Sequence, residues 1–177
     1  QIVGTDYKYG FHTDVENVYD TGKGISEEVV RKISAMKNEP KWMRDFRVKA
    51  YEAFVKMENP SFGPDLRFLA YDEYTYYIKP ADKSVKSWEE VPETIRETFD
   101  KLGLPEQEKK FFAGVHTQYE SESVYHNMLK EVEDKGVIFL DTDSALRLYP
   151  ELVKEYFNTV VPFMDNKFSA LNGAVWS

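Results

Sequence analysis

The chain has 177 residues, of which 42% are hydrophobic and 15% aromatic, a composition typical of a domain that buries a core. A formal net charge of −8, with no Lys/Arg run longer than two residues, argues against binding to nucleic-acid phosphates or anionic lipid. No stretch approaches the roughly 20 apolar residues that a membrane-spanning helix needs. The chain contains no cysteine, which excludes disulfides and thiolate ligands within it and fits a cytosolic location.

The first half of the chain predicts an extended arm followed by two consecutive helices. Residues 1–24 show no sustained period and are assigned to the arm. Ser26 is a typical N-cap and predicts a helix over 26–38, while Pro40 separates it from a second helix over 40–58. Four apolar side chains recur on one face of the second helix and are expected to be largely buried: Trp42, Phe46, Ala50 and Phe54.

The second half predicts shorter elements of both kinds, so the fold class is α+β, predominantly helical with a few short strands. In chain order, the pattern predicts extended chain over 71–78, a helix from a capping box at 87–90 to Gly103, a short helix over 106–112, a strand over 115–125, a helix from Met128 to Gly136, a buried strand over 137–140, a helix capped within 141–143 and a last helix from Pro150 to Pro162.

The three histidines are the natural candidates for proton transfer or metal binding near neutral pH. His116 and His126 lie ten residues apart, a spacing that does not place them on one helical face. As metal ligands they would need carboxylate partners, for which the sequence offers Glu120, Glu122 and Asp141. Because isolated histidines are more often ordinary polar side chains, His12, His116 and His126 are not assigned to a site.

No other motif for catalysis or cofactor binding emerges. Residues 141–143 resemble the start of a calcium loop but lack its glycine and closing glutamate, so a helix cap is the better interpretation. No Gly-x-Ser-x-Gly elbow and no phosphate-binding glycine loop is present. The sequence therefore assigns no catalytic, cofactor-binding or metal-ligating residue. It predicts that the chain is not an enzyme and binds no metal, nucleotide or flavin.

Several segments resemble SufB proteins, in order along nearly the whole chain. The most specific run is 26–51, which contains Asn38-Glu39-Pro40-Lys41-Trp42-Met43 and Phe46-Arg47-Val48-Lys49-Ala50-Tyr51. Weaker matches precede and follow it, at 7–11, 131–139, 150–154, 160–162 and 166–172.

This resemblance implies an N-terminal helical domain over 1–165, with 166–177 beginning the connection into a right-handed parallel β-helix that lies beyond Ser177. SufB is a scaffold on which an iron–sulfur cluster is assembled, in a cytoplasmic complex with the ATPase SufC and the paralogue SufD. Sulfur comes from a cysteine desulfurase or its sulfur carrier. Since the cluster and these partners are implied for later parts of the protein, a structural or docking role without chemistry is expected here.

Two alternatives to a SufB segment remain open. A SufD-like segment keeps the family, although residues 38–43 favour SufB. An unrelated acidic enzyme would use His116 or His126 with carboxylates.

The resemblance also makes an expectation about the C-terminal edge. The apolar stretch 163–177 would be covered by the β-helix. Val175 and Trp176 are therefore expected to be exposed, disordered or covered by a second copy.

Overall fold

The computed structural model describes residues 18–79, 88–101 and 114–176, apart from the side chains at positions 114, 115, 125 and 127. The chain divides into two compact units. Unit 1 comprises residues 1–19 and 79–139, and unit 2 comprises residues 20–78 and 140–177. No helix in the described ranges combines the length and the apolar character needed to cross a membrane.

Helices dominate the described residues, and two small sheets accompany them, in agreement with the predicted α+β class. The helices are α1 (Glu27–Met36), α2 (Lys41–Lys56), α3 (Glu93–Lys101), α4 (Lys130–Glu133), α5 (Thr142–Leu148), α6 (Pro150–Tyr156) and α7 (Lys167–Val175). The strands are β1 (Tyr19–Asp20), β2 (Ile78–Lys79), β3 (Gly114–Tyr119) and β4 (Glu122–Met128); β1 pairs with β2, and β3 with β4. Short 3-10 turns occupy Tyr71–Glu73 and Trp88–Glu90.

The two helices predicted in the first half are confirmed, with the break where proline requires it. The Ser26 hydroxyl accepts a hydrogen bond from the Val29 amide at 3.2 Å, which caps α1. Asn38 has a φ of 51° and ends that helix, and Pro40 is the N-cap of α2. In α2, Ala50 and Phe54 are buried as predicted, while the larger Trp42 and Phe46 are half-buried.

Small residues allow α2 and α7 to approach closely in the core of unit 2. A Cβ atom added at Gly173 would lie 3.1 Å from the Cβ atoms of both Ala50 and Phe163. Ala170 and Ala174, on the same helix, are fully buried. A larger side chain at position 173 would therefore force these neighbours to give way.

The core of unit 1 is smaller and joins α3 to the β3–β4 hairpin. Val91, Ile95 and Val124 are buried together, and Trp88, Phe99 and Tyr119 pack around them. Thr117 pairs with Tyr125 and Gln118 with Ser123, so Val124 is the extra residue of a β-bulge. The bulge places this valine in the core.

Several elements differ from the sequence prediction, among them Tyr71–Glu73, a 3-10 turn where extended chain was predicted. The predicted strand over 115–125 is a hairpin, which turns at Glu120 with a φ of 53°; a Glu-Ser turn lacks the usual hairpin signal of Asn-Gly or Asp-Gly. The predicted buried strand over 137–140 is wrong, because the structure assigns no strand there and Val137, Ile138 and Phe139 are exposed. An apolar run needs a partner to become a strand, and no ladder within the described residues includes this one.

Another difference lies at the C-terminal end of unit 2. The helix from Pro150 stops at Tyr156, since Phe157 and Asn158 leave helical geometry, and it is not the last helix because α7 follows. Val175 and Trp176 are half-buried, so the expectation that they are exposed is wrong, while their coverage by a second copy stays a prediction. The predicted helix over 106–112, Gly103 and most of the predicted arm over 1–24 lie outside the described residues.

Candidate functional site

The structure brings together two of the three histidines that the sequence analysis left unassigned. His116 on β3 and His126 on β4 are direct partners in the antiparallel register. Their ring centroids lie 6.3 Å apart, and the Phe139 ring lies 5.3 Å from His126 and 6.3 Å from His116. A spacing of ten residues does not place these histidines on one helical face, but the two strands of the hairpin place them opposite each other. His12 lies outside the described residues.

Hydrogen bonding differs between the two imidazoles. His116 Nε2 lies 2.8 Å from the Ser123 hydroxyl. His126 Nε2 is buried and has no hydrogen-bond partner among the described residues. A buried polar nitrogen without a partner is uncommon in folded proteins and calls for a reason.

The carboxylates weighed as partners do not complete a metal site with this pair. Asp141 caps α5 by accepting a hydrogen bond from the Ser144 amide at 2.8 Å, the role that the sequence analysis assigned to residues 141–143. Within the described ranges, no group of three or more His, Asp or Glu residues is placed to hold a metal ion. The described part of the hairpin therefore offers two ligands.

The shifted carboxyl groups belong to surface ion pairs. The pKa of Glu28 is lowered by its hydrogen bond to Lys32, that of Asp45 by its hydrogen bond to Lys41, and that of Asp65 by its hydrogen bond to Arg67. A general acid needs the opposite shift, a carboxyl pKa raised toward neutrality. These carboxylates are therefore surface charges and are not candidates for acid catalysis.

A second polar cluster, buried in unit 2, was missed by the sequence analysis. The side chains of Glu39 and Arg47 are completely buried and form a bidentate ion pair, with nitrogen–oxygen distances of 2.7 and 2.8 Å. The same guanidinium donates hydrogen bonds to the carbonyl oxygens of Ala174 at 3.0 Å and Trp176 at 2.8 Å. It also lies 4.4 Å from the centroid of the Trp176 ring. This cluster fixes the C-terminal end of α7 to α2.

The only sequence signal for this cluster is a charged residue among apolar ones, at Phe46-Arg47-Val48. A four-residue apolar stripe on α2 does not reveal it, because Arg47 lies on another buried face of the same helix. A second buried charge lies nearby in sequence, where Lys37 Nζ is 2.8 Å from Asp143 Oδ2 and its side chain is 3% exposed. Residues 37–47 therefore supply two buried ion pairs to unit 2.

Unit 2 also carries exposed apolar side chains along residues 148–168, from the end of α5 to the start of α7. Eight large apolar residues within 148–168 are exposed: Leu148, Tyr149, Leu152, Tyr156, Val160, Val161, Met164 and Phe168. Phe157 and Phe163, from the same stretch, point inward instead, with rings 5.0 and 5.2 Å from that of Phe46. Exposed apolar residues at this density are typical of surfaces that another protein part covers.

Comparison with known proteins places the chain beside proteins of iron–sulfur cluster assembly. Over 172 residues it is 59% identical to the iron-sulfur cluster assembly SufBD family protein of Staphylococcus aureus (strain USA300). It is equally similar to the protein of the same description in Staphylococcus haemolyticus (strain JCSC1435). At this identity the chain is homologous to these SufBD family proteins.

The chain spans only part of the length of these relatives. The alignment covers 97% of this chain but 37% of the length of each relative. No family model matches the chain.

Proposed function

We propose that this chain is the helical segment of a SufB-type scaffold for iron–sulfur cluster assembly, with a structural or docking role and no chemistry of its own. The observation that carries the proposal is the 59% identity over 172 residues to SufBD family proteins. The resemblance identified from the sequence points to the same family from residues 26–51.

We propose SufB rather than SufD because the segment from Asn38 to Met43 resembles SufB. That segment has a defined physical task in unit 2. Asn38 takes a positive φ, Glu39 forms the buried pair with Arg47, and Pro40 starts α2. Residues with such a task are costly to replace one at a time. The proposal of SufB rather than SufD depends on the resemblance of residues 38–43 alone. A SufD-like segment is the alternative. The coding sequence beyond Ser177, read for a β-helix and cysteines, is the observation that bears most on the proposal.

The docking role is supported by the exposed apolar residues within 148–168. We propose that the remaining length of a full-length protein covers them. In hydroxyl-radical footprinting, Tyr156 and Met164 should then react several-fold less in the full-length protein than in this chain. Equal reactivity in the two would argue against the covered surface.

The proposed scaffold partners are SufC and SufD, reached through other parts of the protein, and a cysteine desulfurase or sulfur carrier as the sulfur source. The proposed location is the cytosol. The chain is proposed to hold no resident cluster, nucleotide or flavin, because it has no cysteine, the normal ligand of such clusters, and no phosphate-binding loop.

Reconstitution tests the assignment of the chemistry to other parts of the protein. This chain, mixed with SufC, SufD, iron and a sulfur donor, should not gain the visible absorbance of a cluster, whereas the full-length protein should. Cluster absorbance from the chain alone would overturn the proposal. The alternative of an unrelated enzyme that uses His116 or His126 conflicts with the 59% identity to SufBD family proteins.

A further inference from the structure

The β3–β4 hairpin presents two imidazoles side by side. His116 and His126 are direct cross-strand partners, and side chains in such positions project from the same face of the sheet. Their ring centroids are 6.3 Å apart. Two imidazole nitrogens bound to one tetrahedral metal at about 2.0–2.1 Å leave the ring centroids roughly 5 Å apart. The two rings therefore need to approach by about 1 Å to reach that geometry.

His126 supplies a nitrogen that no described residue engages. Its Nε2 atom is buried and lacks a hydrogen-bond partner within the described ranges. The Phe139 ring lies 5.3 Å from the imidazole and shields it on one side. A ring nitrogen that has lost water without gaining a partner is satisfied when a cation binds to it.

Ser123 orients the other imidazole. Its hydroxyl lies 2.8 Å from His116 Nε2. Histidine ligands of metals usually donate their second ring N–H to such a partner, which fixes the ring and the tautomer. Ligation through Nδ1 of His116 and Nε2 of His126 preserves this hydrogen bond.

We propose that His116 and His126 form an exchangeable two-ligand site for a divalent first-row transition metal. Imidazole is a suitable ligand for Zn²⁺, Cu²⁺, Ni²⁺ and iron, and water completes the coordination. Among the described residues no third His, Asp or Glu joins the pair, so the proposed site has two protein ligands and an exchangeable cation. The inference departs from the sequence prediction that the chain binds no metal, because the hairpin register pairs two histidines that the sequence left apart. It goes beyond the proposed function and rests on the hairpin alone.

A competition titration tests the site. Zn²⁺ is added to the purified 177-residue chain in the presence of a chromogenic chelator, with Ni²⁺ and anaerobic Fe²⁺ as parallel probes. One equivalent should bind per chain. His116→Ala and His126→Ala should each weaken binding by roughly 10-fold or more, because loss of a ligand should cost at least as much as loss of a residue that hydrogen-bonds a ligand. Ser123→Ala should have a smaller effect. His12→Ala, which removes the remaining histidine, is the matched control and should leave the affinity unchanged.

Imidazole NMR of the unmutated chain keeps the test independent of how the variants fold. Zn²⁺ should shift the ring nitrogen resonances of His116 and His126 and leave those of His12 in place. The site is refuted if one equivalent still binds to the double variant with full affinity, or if His12→Ala abolishes binding. Neither result affects the proposed scaffold role, which is measured by cluster absorbance.

Discussion

The two units of this chain use different means to hold their helices in place. In unit 2, the small residues of α7 pack directly on α2, and Arg47 ties the end of α7 to Glu39. In unit 1, three buried apolar residues join α3 to a two-stranded hairpin, and the histidine pair lies on that hairpin. Polar interactions in unit 2 thus specify one helix arrangement, whereas unit 1 depends on a small apolar cluster.

The two units therefore differ in how strongly their interactions constrain the packing. A buried, fully hydrogen-bonded guanidinium allows few alternative packings, because every displacement leaves a buried charge without a partner. A two-stranded hairpin is only marginally stable by itself and needs the packing of α3. We therefore expect substitutions to act most strongly on unit 2 when they touch Arg47, and on unit 1 when they touch its apolar cluster.

The largest effect is expected for Arg47→Met, which leaves Glu39 buried without its cation. Breaking one partner of a buried ion pair costs about 3–5 kcal/mol in free energy of unfolding. Urea unfolding followed by tryptophan fluorescence measures the loss, since Trp176 contacts Arg47. Lys49→Met, at an exposed position of the same helix, is the control and should change stability by about 0.5 kcal/mol or less. Equal losses in the two variants would contradict the role of the buried pair.

The next effect is expected in unit 1, for Ile95→Ala. Ile95 is fully buried between Val91 and Val124, so truncation leaves a cavity in the cluster. We expect a loss of about 2–3 kcal/mol, in the lower part of the range for such changes, because the partly exposed Trp88 and Phe99 can relax into the space. Hydrogen exchange should report the loss in the β3–β4 amides.

The matched control for Ile95→Ala is Glu97→Ala, at an exposed position of α3. It should leave the hairpin amides as protected as in the unmutated chain. Unchanged hairpin protection in Ile95→Ala would mean that the apolar cluster does not hold the hairpin.

A smaller effect is expected for Gly173→Ala in unit 2. The new methyl group would lie 3.1 Å from two Cβ atoms, on Ala50 and Phe163, so α7 must shift away from α2. We expect a cost of about 1–2 kcal/mol, measured by thermal or urea unfolding. Asn172→Ala, on the exposed face of the same helix, should cost less or stabilise the helix. A neutral Gly173→Ala variant would show that the two helices are not closely packed at this point.

The sequence predicted those parts of the fold that depend on local signals. Each of three helices begins as predicted at a residue with a local signal: Ser26, Pro40 and Asp141. The Ser26 and Asp141 side chains accept hydrogen bonds from nearby backbone amides, and Pro40 has no amide proton to satisfy. The apolar run 137–140 carries no local signal of a partner, and its strand does not form. The Arg47 cluster depends on residues up to 129 positions apart in sequence, so only the fold reveals it. The histidine pair depends on a hairpin register that no turn signal marks.

The smallest effect concerns Tyr76 and depends on pH. Burial raises the pKa of Tyr76 to about 12, and its hydroxyl donates a hydrogen bond to the Tyr71 carbonyl at 2.7 Å. Between pH 10 and 12 the folded protein keeps this proton while the unfolded chain loses it, so the contribution of Tyr76 to stability is full below pH 10 and declines as pH rises through 12. Tyr76→Phe should lose about 1 kcal/mol at neutral pH, the usual value of one hydrogen bond. In urea titrations from pH 8 to 12, the stability difference between the two proteins should shrink steadily above pH 10. Tyr156→Phe, at an exposed site, controls for the loss of a hydroxyl and should change neutral-pH stability by about 0.5 kcal/mol or less. A difference for Tyr76→Phe that stays constant up to pH 12 would contradict the raised pKa.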